Sequence, residues 1–279
     1  MKNQKEIFDN VSLECSKKTT KMYSTSFSLA IKLLSKHYQN AIYSIYGFVR
    51  LADEIVDSFH DYDKAKLLNE LRYSTIDALE KKISLNPIIN SFQITIKKYN
   101  IEWMLIDSFL ESMEYDLSNK NCSDKTYKRY IKGSAEAVGL MCLQIFSNNK
   151  KGQYQQLKPY AESLGAAFQK INFLRDMNED FNNLNRVYFP NLDINSFNNN
   201  DKKIIEEDIA KDFEIGLAGI KLLDKDARKG VYLAYKYYIS LFLKIQKLDA
   251  QQILKSRIRI SNFKKIILLI SSQIDLKIR

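Results

Sequence analysis

Proline and glycine are scarce in this chain, with three and eight copies in 279 residues. Few residues are therefore available to punctuate tight turns, which argues against a fold of many short strands. Cysteine is scarce too. Cys15, Cys122 and Cys142 stand far apart and form no Cys-x-x-Cys pair, so neither a disulfide framework nor a structural zinc site is expected. Two isolated histidines, His37 and His60, cannot build a histidine metal centre. The first ten residues carry acids and no apolar core of a secretory signal. The apolar run Ile266–Ser271 is too short to span a bilayer. These absences predict a cytoplasmic protein, at most peripheral to the inner face of the membrane.

What is abundant is Leu, Ile, Lys, Glu, Asn and Tyr, a mixture that suits long helices, and the expected class is all-α. The formal net charge is +10. Such an excess suits nucleic acid, an anionic membrane surface or a polyanionic small substrate. The basic residues are spread along the chain in runs no longer than pairs, and no aromatic-and-basic strand pattern or Cys/His spacing accompanies them. A nucleic-acid partner is therefore not expected.

Polar, Asn-rich stretches at Ser118–Lys125, Ser147–Gln156, Asn182–Asn185 and Asn191–Asp201 read as loops. Between them apolar residues recur at helical spacing, as in Tyr43–Val56, Leu164–Leu174, Ile215–Leu223 and Val231–Leu248. No solenoid repeat and no long linker is visible, so residues 1–279 read as one domain of eight or more helices. Gly133–Gly139 and Gly165–Ala167 are small-residue stretches that admit either a neighbouring helix backbone or a bulky apolar ligand.

Two acidic motifs stand out. In Asp53-Glu54-Ile55-Val56-Asp57 the two aspartates share one helix face a turn apart, where like charges repel. A solvated acidic face would explain a lone pair of this kind, but the apolar flanks Phe48, Leu51, Ile55 and Val56 bury this helix and direct its carboxylates into a cavity. The second motif is a ladder, Asn172, Asp176 and Asp180, at i, i+4 and i+8, with Gln169 one turn before it and Arg175 beside it. Facing carboxylates make a poor protein core unless cations fill the gap. Oxygen ligands without His or Cys select hard cations, Mg²⁺ or Mn²⁺, which commonly bridge to substrate phosphates. Asn185-Arg186-Val187-Tyr188-Phe189-Pro190 then supplies an arginine for a diphosphate and a tyrosine for a cavity wall.

At these residues the chain resembles the squalene and phytoene synthase family, from Tyr23-Ser24-Thr25-Ser26-Phe27-Ser28 through Tyr46–Asp57, Gly133–Met141, Gln169–Asp180 and Arg186–Pro190 to Arg257-Ile258-Arg259. The stretch Gly133-Ser134-Ala135-Glu136 and its continuation to Met141 is most similar to bacterial phytoene synthases. The resemblance implies an isoprenoid-synthase-type helical bundle with a central cavity. It implies that Asp53, Asp57, Asn172, Asp176 and Asp180 hold metal, that Arg50, Arg175, Arg186 and Arg257 neutralise phosphate, and that Ser24, Ser26 and Phe27 form a flap. Tyr46, Gln169, Tyr188 and Tyr238 would line the cavity or touch reacting groups. Lys132 stands where many relatives carry a tyrosine, and no role is carried over to it.

The activity so implied is head-to-head condensation of two geranylgeranyl diphosphates to phytoene, with Mg²⁺ and without NADPH. A dehydrosqualene or squalene synthase using farnesyl diphosphate is the alternative, and no NADPH-binding fingerprint is visible. A non-catalytic scaffold relative would have degraded acidic motifs, whereas all four aspartates are present. The substrate's lipid tail would favour contact with an anionic leaflet. Lys255, Arg257, Arg259, Lys264 and Lys265 beside Ile266–Ile270 could provide it, or could simply be solvated on a packed helix. Oligomeric state is left open.

Overall fold

A computed structural model describes residues 3–118, 123–148, 150–184, 186–190 and 192–278; Cys122 and Asn185 lie outside them. Among the described residues the fold is built from helices and contains no strand. In chain order the helices are α1 (Gln4–Tyr23), α2 (Thr25–Lys32), α3 (Lys36–Asp57), α4 (Lys64–Lys81), α5 (Pro87–Tyr99), α6 (Trp103–Ser118) and α7 (Asp124–Ile131). A five-residue π-helical segment, Lys132–Glu136, joins α7 to α8 (Ala137–Phe146). Then follow α9 (Gln153–Leu184), α10 (Asn199–Leu222), α11 (Lys225–Gln246), α12 (Ala250–Ile253) and α13 (Asn262–Ile278).

The Asn-rich stretches are only partly loops. Residues 124–125, 153–156, 182–184 and 199–201 belong to helix ends. The reason is capping: Ser123 accepts from Thr126 N, Asn198 from Asn200 N and Asp201 N, and polar residues of this kind satisfy the first-turn amides of a helix. What reads as a break is in these places the signal that starts the helix.

The core forms around α3. Its buried face carries Ile45, Phe48, Ala52, Ile55 and Val56, and Phe48 stacks on Phe92 of α5 with ring centroids 4.1 Å apart. Removing a ring so enclosed would cost about 3–5 kcal/mol. A second cluster joins α9, α10, α11 and α12 through Ala167, Ile171, Leu174, Ile209, Phe213, Ile245 and Ile253. Small residues set the spacing of the helices between these clusters. A Cβ on Gly133 would lie 2.3 Å from Ser108 O of α6, and one on Gly165 would lie 2.7 Å from Ala135 O of the π segment. Both glycines thus serve helix packing, while Gly165, Ala135 and Gly139 also border the central cavity. That cavity, roughly 1410 Å³, is lined by α3 and α9 together with parts of α2, α8, α10 and α11.

Candidate active site

One end of the cavity is polar. Asp53 and Asp57 reach it from the last turns of α3, while Gln169, Asn172, Asp176 and Asp180 reach it from α9. The helical spacing anticipated from sequence is therefore realised on both elements, and the two ladders border one space. Every other anticipated site residue also lines it: Ser24, Ser26, Phe27, Tyr46, Arg50, Arg175, Arg186, Tyr188, Tyr238 and Arg257. Lys132 is exposed and does not line the cavity.

The charges between the ladders are partly balanced by arginines. Arg186 Nη1 lies 2.8 Å from Asp57 Oδ1, and Arg186 is itself buried. Arg175 pairs with Asp176, its Nε 2.9 Å from Oδ1, and Arg257 Nε approaches the same oxygen at 2.8 Å. Arg257 Nη1 also contacts Glu179 at 3.1 Å. Arg50 pairs with Glu54 and lies over the ring of Tyr23 at 4.3 Å, but its buried Nε has no hydrogen-bond partner. An orphaned guanidinium N–H beside a polar cavity is the kind of donor an anionic ligand would satisfy.

Among the described residues neither Asp53 nor Asp180 forms an ion pair. Both face the cavity, which leaves them part-exposed, yet protein surrounds that cavity and strips most of their hydration. Burial pushes the Asp53 carboxyl up to about 7, reinforced by Asp57. Burial likewise raises Asp180 to about 8, reinforced by Asp176 and Asp57. Two acids whose ionised forms are disfavoured in this way are suited to a cation that restores the charge. Among the described residues no three acidic, histidine or cysteine side chains converge into a full metal-ligand set. The donors that line the polar end are carboxylate and amide oxygens, a set that fits hard cations.

A third acid escaped the sequence reading. Asp116, near the end of α6, is buried and accepts from Tyr130 OH at 2.6 Å and from Tyr188 OH at 2.9 Å. Burial raises its carboxyl to about 6 even though Arg186 opposes the shift. Burial also holds both phenols well above their ordinary value, aided by the neighbouring Asp116. A signal existed: Ile106, Phe109, Leu110 and Met113 form the buried stripe of α6, and Asp116 continues it where an apolar residue belongs. Tyr130, two positions before Lys132, is the tyrosine that lines this wall.

Beyond the polar end the walls are apolar and aromatic. Phe168 stacks on Tyr238 at 3.9 Å, Phe173 on Tyr188 at 4.1 Å, and Phe27 leans on Tyr46 at 5.7 Å and on Tyr238 at 5.9 Å. Tyr238 OH donates to Asn172 Oδ1 at 3.2 Å, and Asn172 Nδ2 donates to Gln169 Oε1 at 3.2 Å, which fixes that face of the ladder. Ser24 caps α2 by accepting from Phe27 N at 3.1 Å and so sets where the Phe27 ring enters. The arrangement can grip an anion at one end and shelter an apolar chain along the rest.

The chain is similar to known proteins. The squalene/phytoene synthase family model matches residues 20–264. The 4,4'-diapophytoene synthase of Staphylococcus haemolyticus is 25% identical over 266 residues, 88% of this chain and 90% of that protein. The phytoene synthase of Mycobacterium bovis is 25% identical over 177 residues, 61% of this chain and 55% of that protein. A crystal structure of a dehydrosqualene synthase in complex with a ligand superposes with a TM-score of 0.82 at 21% identity, covering 97% of this chain and 98% of that one.

Proposed function

The chain belongs to the squalene/phytoene synthase family, whose members are prenyltransferases acting on prenyl diphosphates, and from that premise we propose that it joins two geranylgeranyl diphosphates head to head to give phytoene. The observation that carries the reading is the pair of unpaired, desolvated carboxylates, Asp53 and Asp180, at the polar end of a deep apolar cavity. The chain acts as a single domain in this reading and needs no NADPH.

Asp53, Asp57, Asn172, Asp176 and Asp180 would hold Mg²⁺, which Mn²⁺ could replace. Bound there, the metal supplies Lewis-acid stabilisation of the departing diphosphate. Arg50, Arg175, Arg186 and Arg257 neutralise the remaining phosphate charge, and Arg50 Nε is the donor left open for it. As the first diphosphate leaves, the allylic C1 becomes cationic and is attacked by the C2–C3 double bond of the second substrate. Proton loss closes a cyclopropylcarbinyl diphosphate, prephytoene diphosphate. Loss of the second diphosphate, rearrangement and a further proton loss give phytoene.

The cations formed on the way would be captured by water, so the apolar walls and the Ser24–Phe27 flap exclude it. The faces of Tyr46, Phe168, Phe173, Tyr188 and Tyr238 stabilise positive charge without offering a strong nucleophile. Tyr188, held by Asp116, accepts from Arg186 Nη1 at 3.4 Å and steadies the diphosphate end. The lipid tails tie this chemistry to a membrane surface on the cytoplasmic side.

A second reading has its own support. The relative matched across 88% of this chain is a 4,4'-diapophytoene synthase, and a dehydrosqualene synthase shares the fold, which favours a dehydrosqualene synthase acting on the C15 diphosphate. Our preference for the longer substrate is supported by a cavity whose lining runs from the acidic residues to Leu34, Phe146, Leu157 and Tyr160. Purified enzyme with Mg²⁺ should convert the C20 diphosphate to phytoene without NADPH. Condensation of the C15 diphosphate alone would give the chain the second activity, and a demand for NADPH would make it a squalene synthase.

A further inference from the structure

An apolar stripe lies uncovered beside the cavity mouth. On α13, Phe263, Ile266, Ile267, Ile270 and Ile274 follow helical spacing and are 74, 52, 41, 58 and 53% exposed. The helix already has a packed side, where Leu268 and Leu269 meet Ala30, Leu233 and Tyr237. The stripe is therefore a second apolar face, and solvent-exposed patches of this kind mark contact surfaces. It is continuous with the mouth. Lys265 in the first turn of α13 bonds Thr25 Oγ1, two residues past Tyr23, and Tyr23, Thr25 and Lys265 all line the cavity. Met22 and Tyr23, 76 and 51% exposed, extend the apolar rim on that side.

The charge along the stripe is mainly basic. From Arg259 to Asp275 the chain carries Arg259, Lys264 and Lys265 against the single acid Asp275, which is tied to Lys236 at 2.9 Å, while Arg257 just before them is paired with Asp176 and Glu179. Lys264 and Arg259 are exposed. We propose that this face docks on an anionic phospholipid bilayer, with α13 lying along the surface and the cavity mouth turned toward the acyl region. Basic residues flanking an apolar helix face are the arrangement that binds such interfaces. No helix among the described residues is long and apolar enough to cross a membrane, so the contact is interfacial. A second copy of the chain is the weaker occupant, because pairing the stripes would bring the two cationic rims together and close both mouths. The purpose of the docking, delivery of lipid-tailed substrate and release of an apolar product, rests on the prenyl diphosphate reading; the docking itself does not.

The test is co-sedimentation of the full chain with vesicles, beside turnover measured in detergent. Vesicles of equal parts phosphatidylglycerol and phosphatidylcholine should bind the protein, phosphatidylcholine alone should bind it far less, and added salt should release it. Phe263→Ser combined with Ile270→Ser should weaken vesicle binding about tenfold or more while detergent turnover stays unchanged. Unchanged binding by the double variant, or equal binding to neutral vesicles, overturns the proposal. So does self-association that the double variant abolishes in a protein that ignores vesicles. Loss of prenyl diphosphate turnover in wild type with vesicle binding intact would instead refute the functional reading and leave the docking standing.

Discussion

Arg186 Nη1 lies 2.8 Å from Asp57 Oδ1, so a residue beyond the end of α9 reaches the first acidic motif on α3. The same guanidinium contacts Tyr188 OH at 3.4 Å and Val56 O at 3.4 Å. It joins the end of α3 to the segment that follows α9 and presents charge to the polar end of the cavity. Arg186→Lys would keep the charge and lose the planar fork that serves these partners at once. The expected result is turnover reduced roughly tenfold or more with KM for the diphosphate raised, and a folded protein by circular dichroism. Equal kinetics in the two proteins would remove Arg186 from the site.

Asp53 gives a test that separates chemistry from folding. Its carboxyl is raised to about 7 because burial disfavours the charge, so at higher pH the ionised group costs the fold stability. Asp53→Asn should therefore melt at the same temperature or higher, while Mg²⁺-dependent turnover falls by roughly a hundredfold or more. Mg²⁺ with inorganic pyrophosphate should raise the melting temperature of the wild type and leave that of the variant nearly unmoved. A variant that keeps full activity would show that Asp53 holds no metal.

Asp116 is expected to matter for both fold and rate. It accepts from two buried phenols, Tyr130 and Tyr188, and Asp116→Ala would leave them only each other and Arg186 as partners, at a cost of about 1–3 kcal/mol for the donor left unmatched. Asp116→Asn can still accept through its carbonyl oxygen and should recover part of the melting temperature. If the residue positions Tyr188, kcat should fall in both variants with KM for the diphosphate little changed. An Asn variant with wild-type kcat would make the contact purely structural.

The acidic ladders were legible because helical spacing turns sequence positions directly into a shared face, and all of Asp53, Asp57, Asn172, Asp176 and Asp180 line one cavity. Asp116 was legible only in part: its place on the apolar stripe of α6 marks it as buried, but its partners Tyr130 and Tyr188, 14 and 72 positions away, are brought to it by the fold. The arginine pairing of the ladders was legible only for Arg175, which neighbours the second ladder in sequence, and not for Arg186 and Arg257. The sequence predicts cations between facing carboxylates, and guanidinium groups from three segments fill part of that role. Helix starts at Asp124, Gln153 and Asn199 were obscured by the polar residues that cap them or form their first turns. Glycine at 133 and 165 signalled close approach, but which backbone approaches is a property of the assembled bundle.

Glu136 carries a pH dependence that lies apart from the acidic ladders. It ends the π segment and is half-buried; burial and then Glu162 raise its carboxyl from 4.5 to about 7, opposed by Lys132 and Lys170, with Asp212 adding to the rise. Its folded value thus lies above its unfolded value. Between these two pH values the unfolded chain has released the proton and the folded chain retains it, so stability falls as pH rises and the loss is complete above about 7. Solvent screening of a half-buried group reduces the effect to about 1 kcal/mol. Glu136→Gln removes the ionisation, so the variant should match the wild type near pH 4.5 and melt about 2–4 °C higher at pH 8. Asp53 and Asp180 titrate in both proteins, and the difference between the two melting curves therefore isolates Glu136. A variant that gains as much at pH 4.5 as at pH 8 would show that packing of the amide, not loss of the charge, is responsible.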